Sequence, residues 1–194
     1  MEYLWTPWRM SYISGKTGAN EGTSESQTGV SSGSPKPVEA DLPQLESTGC
    51  VFCDRARLPE SADRESLIVH RAQHNFIILN LYPYNSAHLM VVPYEHTADL
   101  AGLPPETTVE MMSLVQKMVR VISAEYSPEG FNVGMNLGRA AGAGVADHLH
   151  MHLVPRWAGD TNFMPVVGGT KVMPELLETT LDRLRKRLGN ESWV

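Results

Sequence analysis

Cysteine is nearly absent from this chain of 194 residues: it occurs twice, at Cys50 and Cys53. That excludes a disulfide framework. No apolar run approaches the ~20 residues that span a bilayer. The opening MEYLWTPWRM has no basic stretch leading into an apolar one, so no signal peptide is expected. Cations are in deficit, 16 against 22 acidic residues, for a formal charge of -6. A broad nucleic-acid face needs clustered Lys and Arg and is therefore excluded. The expectation is a cytoplasmic protein with neither a membrane nor a nucleic-acid partner. A local anion site stays open, because backbone N–H groups can build one.

What is present divides the chain into three. Residues 1–15 are aromatic and apolar, with Leu4, Trp5, Trp8, Met10, Tyr12 and Ile13. Such a segment is expected to pack on the domain or on a partner subunit. Residues 16–47 are rich in Gly, Ser, Thr, Pro and acidic side chains and read as a flexible linker or loop. Residues 48–194 form the folded domain. Within it, 67–71, 75–81 and 88–93 are short, apolar or β-branched, and bounded by turn signals, so they read as strands. Pro104-Pro105 opens a helix whose apolar face is Val109, Met112, Val115, Met118 or Val119, and Ile122; Pro128 and Gly130 end it. Two more strands are expected at 131–137 and 149–155. A last helix near 174–188 carries Leu177, Leu181, Leu184 and Leu188. About five strands with short connections indicate an α+β domain with an antiparallel sheet.

Three of the seven histidines fall within five residues, in HLHMHLVP. On a strand, His148, His150 and His152 share one face, roughly 6.5 to 7 Å apart, while Leu149, Met151 and Leu153 take the other. Two chemistries suit such a row. The imidazoles could chelate a metal. Alternatively, the central one is a nucleophile held by its neighbours. The preceding loop, GRAAGAGVAD, favours the second, because Gly142 and Gly144 let backbone amides approach phosphate oxygens.

Cys50-Val51-Phe52-Cys53 suggests zinc ligation, with redox chemistry or an inert thiol pair as alternatives. Without a second C-x-x-C, the remaining ligands must be histidines. His96 and His148 are the candidates, giving a closed Cys2His2 structural site. His70, His74 and His88 receive no metal role, and His88 is expected to hydrogen-bond a neighbour.

His148-Leu-His-Met-His152-Leu-Val resembles the signature of the histidine triad (HIT) nucleotide hydrolases and transferases. The resemblance covers roughly residues 50–170 and implies the HIT-like sheet. Cys50, Cys53, His96 and His148 match the zinc set of many bacterial members. By the same resemblance His150 is the nucleophile that forms a nucleotidyl-histidine, and His152 contacts the phosphate. Asn80, eight residues before His88, matches a ribose-region Asn, and Asn136 matches a position that contacts phosphate. Many hydrolase members carry Gln and then Ser or Thr where this chain has Gly144 and Val145. The stretches LWTPWRMSYI, NLYPYNSAHLMVVPY, FNVGMNLG and PRWAGDTNFMPVVGGTKVMPE resemble the bacterial diadenosine tetraphosphate phosphorylases of this family.

The resemblance therefore implies phosphorolysis of diadenosine tetraphosphate to ADP and ATP, with nucleotide and inorganic phosphate as partners. The space beside Gly144 would admit the phosphate. Loop amides from Gly142 to Val145 would hold its oxygens, and Phe76, Ile78 and Leu81 are expected near the base. A homodimer is implied, with the long helix and a sheet edge near the interface, and the aromatic start and Trp193 are expected to add to it. The alternatives are a nucleoside phosphoramidate or dinucleoside polyphosphate hydrolase, and a non-catalytic nucleotide-binding or interaction protein.

Overall fold

Turn chemistry and apolar alternation build the sheet. The computed structural model describes residues 45–160 and 173–189. The aromatic segment 1–15, nearly all of 16–47 and Trp193 lie outside the described residues. In chain order the elements are α1 (Val51–Ala56), β1 (Ile68–Arg71), β2 (Asn75–Leu79), β3 (Leu89–Pro93), α2 (Pro105–Tyr126), β4 (Gly130–Gly134), β5 (Met151–Arg156) and α3 (Leu177–Gly189). Single 3-10 turns at Glu60–Ala62 and Arg139–Ala141 complete them. The five strands form one antiparallel sheet in the order β1-β2-β3-β5-β4. The expected α+β class and strand number are both found.

Register sorts the two faces. Ile77, Val91 and Met151 align across β2, β3 and β5, and His70 of β1 pairs with Ile77. His70 lies close to Lys117 and Glu110 of α2 and to Arg185 of α3, so this row faces the long helices. The neighbouring row, Ile78, Met90 and His152, faces the other way. Arg71 belongs to that second face. It donates to the carbonyls of Ala56 and Leu58 and pairs with Asp63 at 2.8 Å. The chain from α1 to β1 is thereby tied down over the face that carries His152.

The long helix begins where expected, with Pro105 in its first turn, and ends at Ser127, whose left-handed φ of 48° precedes Pro128. Its buried stripe differs from the expected one. Met111, Leu114, Val115, Met118, Val121 and Ile122 are buried. Val109 and Met112 are instead 66% and 46% exposed. A helix turns 100° per residue, and the stripe that meets the sheet is set by the Met111–Met118 side. In α3 the leucine stripe is as expected: Leu181, Leu184 and Leu188 are buried and Leu177 packs against the core.

The histidine strand starts later than expected. β5 begins at Met151, so His148 and His150 precede it. The Leu149 amide donates to the Thr97 carbonyl at 2.8 Å, which takes this stretch out of the sheet ladder.

Candidate functional site

Five histidines and two cysteines gather on the α1 side of the sheet. The Cys50 Sγ lies 3.3 Å from His148 Nδ1, and Cys53 Sγ lies 3.3 Å from His96 Nδ1 and 3.6 Å from His148 Nδ1. The two Nδ1 atoms are 3.2 Å apart, and all four donor atoms lie within 4.8 Å of one another. Metal–ligand bonds of about 2.0 to 2.3 Å in a tetrahedron place ligand atoms about 3.3 to 3.8 Å apart. The cluster therefore fits a metal ion.

The protonation pattern agrees. His148 Nε2 donates to the Pro93 carbonyl at 2.9 Å, so its Nδ1 turns a lone pair into the cluster. That arrangement fixes the ligating tautomer. Burial lowers the His148 pKa and keeps the ring neutral. Without a cation, burial and the neighbouring Cys50 push the Cys53 thiol up to about 11. A bound cation reverses that preference and makes thiolate ligands favourable.

His150 is set differently. Its Nδ1–H donates to the His148 carbonyl at 2.8 Å. The lone pair is then on Nε2, the atom a nucleophile needs. The ring is buried, and burial lowers its pKa. An imidazole must be neutral to attack, so a nucleophile at His150 would act above its pKa and fail below it. The acid limb of kcat/KM is expected to lie below pH 6.5, the ordinary imidazole value. A pH–rate profile checks this; a midpoint above 6.5 contradicts it.

His152 stands beside it, with ring centroids 4.9 Å apart and planes at 77°. His88 completes the constellation. The Tyr84 amide donates to His88 Nδ1 at 3.0 Å, so the His88 proton sits on Nε2. That atom lies 3.0 Å from His152 Nδ1 and donates to it. His152 must then carry its own proton on Nε2, as a donor for a substrate oxygen. The hydrogen bond expected of His88 is found, but its place inside the site was not read from sequence. The signal was the N-x7-H spacing from Asn80. Asn80 caps the Tyr82 amide through Oδ1 at 2.9 Å and puts Nδ2 3.4 Å from His88 Nε2.

The amides of the loop before the triad are unevenly committed. The amides of Ala141, Gly142 and Ala143 already donate to carbonyls of Gly138 and Arg139. Gly142, at φ 84°, closes the 3-10 turn with a left-handed backbone that favours glycine, and its amide is committed there. Among the described residues the amides of Gly144 and Val145 have no protein acceptor. Gly144 is exposed, and the Val145 side chain packs on the core. Asn136 is half-buried on the strand of loop that leaves β4, whose last residue, Gly134, pairs with His152. Phe76 and Ile78 do not line an open pocket. Both are buried, Phe76 against Tyr94 at 5.3 Å, and only Leu81 of that trio is partly exposed.

Comparison with known proteins places these features in context. A family model described as "HIT domain" matches residues 61–159, which leaves Cys50 and Cys53 outside the match. A protein of Mycobacterium tuberculosis named AP-4-A phosphorylase is 41% identical over 180 residues, covering 93% of this chain and 80% of that one. An adenosine 5'-monophosphoramidase of Schizosaccharomyces pombe is 30% identical over 107 residues, covering 55% of this chain and 74% of its own. The crystal structure of a zinc-bound histidine triad family protein from Mycobacterium smegmatis aligns with a TM-score of 0.58 at 28% identity, covering 74% of this chain and 96% of that one.

Proposed function

This chain belongs to the HIT-domain family, and from that premise we propose that it is a nucleotidyltransferase that splits diadenosine tetraphosphate with inorganic phosphate to ADP and ATP. The observation that carries the reading is the locked tautomer of His150, with Nδ1–H on the His148 carbonyl and the lone pair therefore on Nε2. In the first step Nε2 bonds to the α-phosphorus of one adenosine. The bond from that phosphorus to the bridging oxygen breaks, and ATP leaves. In the second step a phosphate oxygen attacks the adenylyl-His150, the P–N bond breaks, and ADP is released.

The residues divide the work. The His152 Nε2–H donates to the phosphoryl oxygens, where charge develops. The amides of Gly144 and Val145 and the side chain of Asn136 bind the same oxygens. Asn80, beside His88, contacts the ribose. Gly142 shapes the loop through its left-handed turn. Zinc fits Cys50, Cys53, His96 and His148 by donor set and geometry. When bound it supplies no reacting group and fastens α1 to the triad.

The choice of acceptor rests on Gly144. A residue without a side chain leaves room for a second anion, and the 41% identical mycobacterial relative carries the phosphorylase name. The test is product analysis after incubation with diadenosine tetraphosphate, with and without phosphate. ADP plus ATP, formed only with phosphate, is expected. AMP plus ATP formed without phosphate dependence makes the protein a hydrolase, and a preference for amide-linked nucleotides makes it a phosphoramidase.

No helix of the described residues is long and apolar enough to cross a membrane. We assign the protein to the cytoplasm and to a homodimer. Val109 and Met112 on α2, and Val133 on the edge strand β4, are exposed apolar side chains where a second copy would dock. Sedimentation as a dimer is expected; a monomer at all concentrations contradicts it.

A further inference from the structure

α1 carries more than two metal ligands. Cys50 and Cys53 are three residues apart, so one helical turn brings both thiols to the same side. The turn is pinned from outside: Asp54 accepts from the Thr48 amide, the Thr48 hydroxyl and the Ser47 hydroxyl, each at 2.7 Å. Phe52, inside the same turn, points inward and is 4% exposed. Its ring meets His148 edge-on at 5.4 Å and 74°, and meets His150 at 5.0 Å and 47°. One side chain therefore touches both a metal ligand and the candidate nucleophile.

The His150 ring is held from three directions. Its Nδ1–H is bound to the His148 carbonyl. The His152 ring stands against it at 4.9 Å, and His152 is itself fixed by His88. Phe52 supplies an apolar wall. The backbone hydrogen bond fixes one edge of an imidazole but leaves rotation about that contact. Ring packing removes this freedom, and near-attack geometry is sensitive to small displacements.

The geometry points to Phe52 as a positioning residue: it sets the ring of His150 for attack on phosphorus and links that ring to the metal-binding turn. This inference rests on the reading of His150 as nucleophile. The metal site is then coupled to the chemistry through a single aromatic ring, in addition to holding the fold.

The test uses the full-length, metal-loaded protein and the variants Phe52→Ala and Phe52→Leu. Metal content, kcat and KM for diadenosine tetraphosphate with phosphate are measured, together with the nitrogen-15 NMR signal of the His150 Nδ1–H. For Phe52→Ala, kcat is expected to fall about 10- to 100-fold, as for a displaced reacting group, with KM and metal content near wild type. The Nδ1–H signal should shift or broaden. Phe52→Leu restores apolar volume without the ring and should fall between. It also decides the matter where Phe52→Ala does not fold. An unchanged kcat overturns the proposal, as does a reduced kcat with an unmoved His150 signal. If the wild type turns over no dinucleoside polyphosphate, the functional reading fails, while the NMR comparison still reports whether Phe52 sets His150.

Discussion

Replacing His150 with alanine is expected to reduce turnover of diadenosine tetraphosphate by about 10,000-fold or more, the scale seen when a covalent nucleophile is removed. The effect is large because neither neighbouring triad histidine can take its place. His152 uses Nδ1 to accept from His88, and its Nε2 is a donor. His148 uses Nε2 on the Pro93 carbonyl and turns Nδ1 into the metal cluster. Within the triad only His150 offers a neutral ring nitrogen, Nε2, that is not committed to another group. The fold should survive, since a buried ring lost beside other side chains costs about 1 to 3 kcal/mol. Circular dichroism and the metal content of the variant check this. Retained turnover removes His150 as nucleophile.

Cys50→Ser should lower the melting temperature by about 8 to 16 °C. A ligand present at a thousand times its dissociation constant stabilises the native state by about 4 kcal/mol. For a chain of this size each kcal/mol corresponds to about 2 to 4 °C. Serine is a poor ligand where a thiolate is needed. Cys50 is buried and 3.3 Å from His148 Nδ1, so its loss also leaves an imidazole lone pair facing an incomplete cluster. Metal content measured beside the melting temperature should fall well below one ion per chain. Equal metal content and equal melting temperature in wild type and variant contradict the Cys2His2 site.

Local patterns made much of this architecture legible. Short apolar runs between turn residues placed all five strands to within a few residues, because each is bounded by Gly, Pro, Asn or polar clusters. Pro104-Pro105 and Pro128 bracketed α2 for reasons of backbone chemistry alone. The metal cluster was legible too, since four soft or borderline ligands are scarce in a chain with two cysteines. Long-range packing was not legible. Val109 and Met112 fit a helical stripe as well as the residues that are actually buried, and only the sheet decides between them. Strand alternation put His148 and His150 on β5, whereas the Leu149 amide bonds Thr97 and His148 turns into the cluster. α1 is a six-residue helix, too short for periodicity to reveal. Glycine at 142 signals close backbone approach, whereas the commitment of its amide to the Arg139 carbonyl follows from a left-handed turn that residue type alone does not reveal. His88 and Phe52 join the site through contacts that span 64 and 98 residues of sequence.

The most direct measurement is intact-protein mass spectrometry of the wild type, acid-sparing and rapidly quenched after mixing with diadenosine tetraphosphate in the absence of phosphate. A mass increase of one adenylyl group is expected, located on the peptide that contains His150, absent from His150→Ala, and discharged as ADP when phosphate is added. Formation of ADP and ATP once phosphate is added, with no adduct beforehand, or an adduct on a different residue, would contradict it.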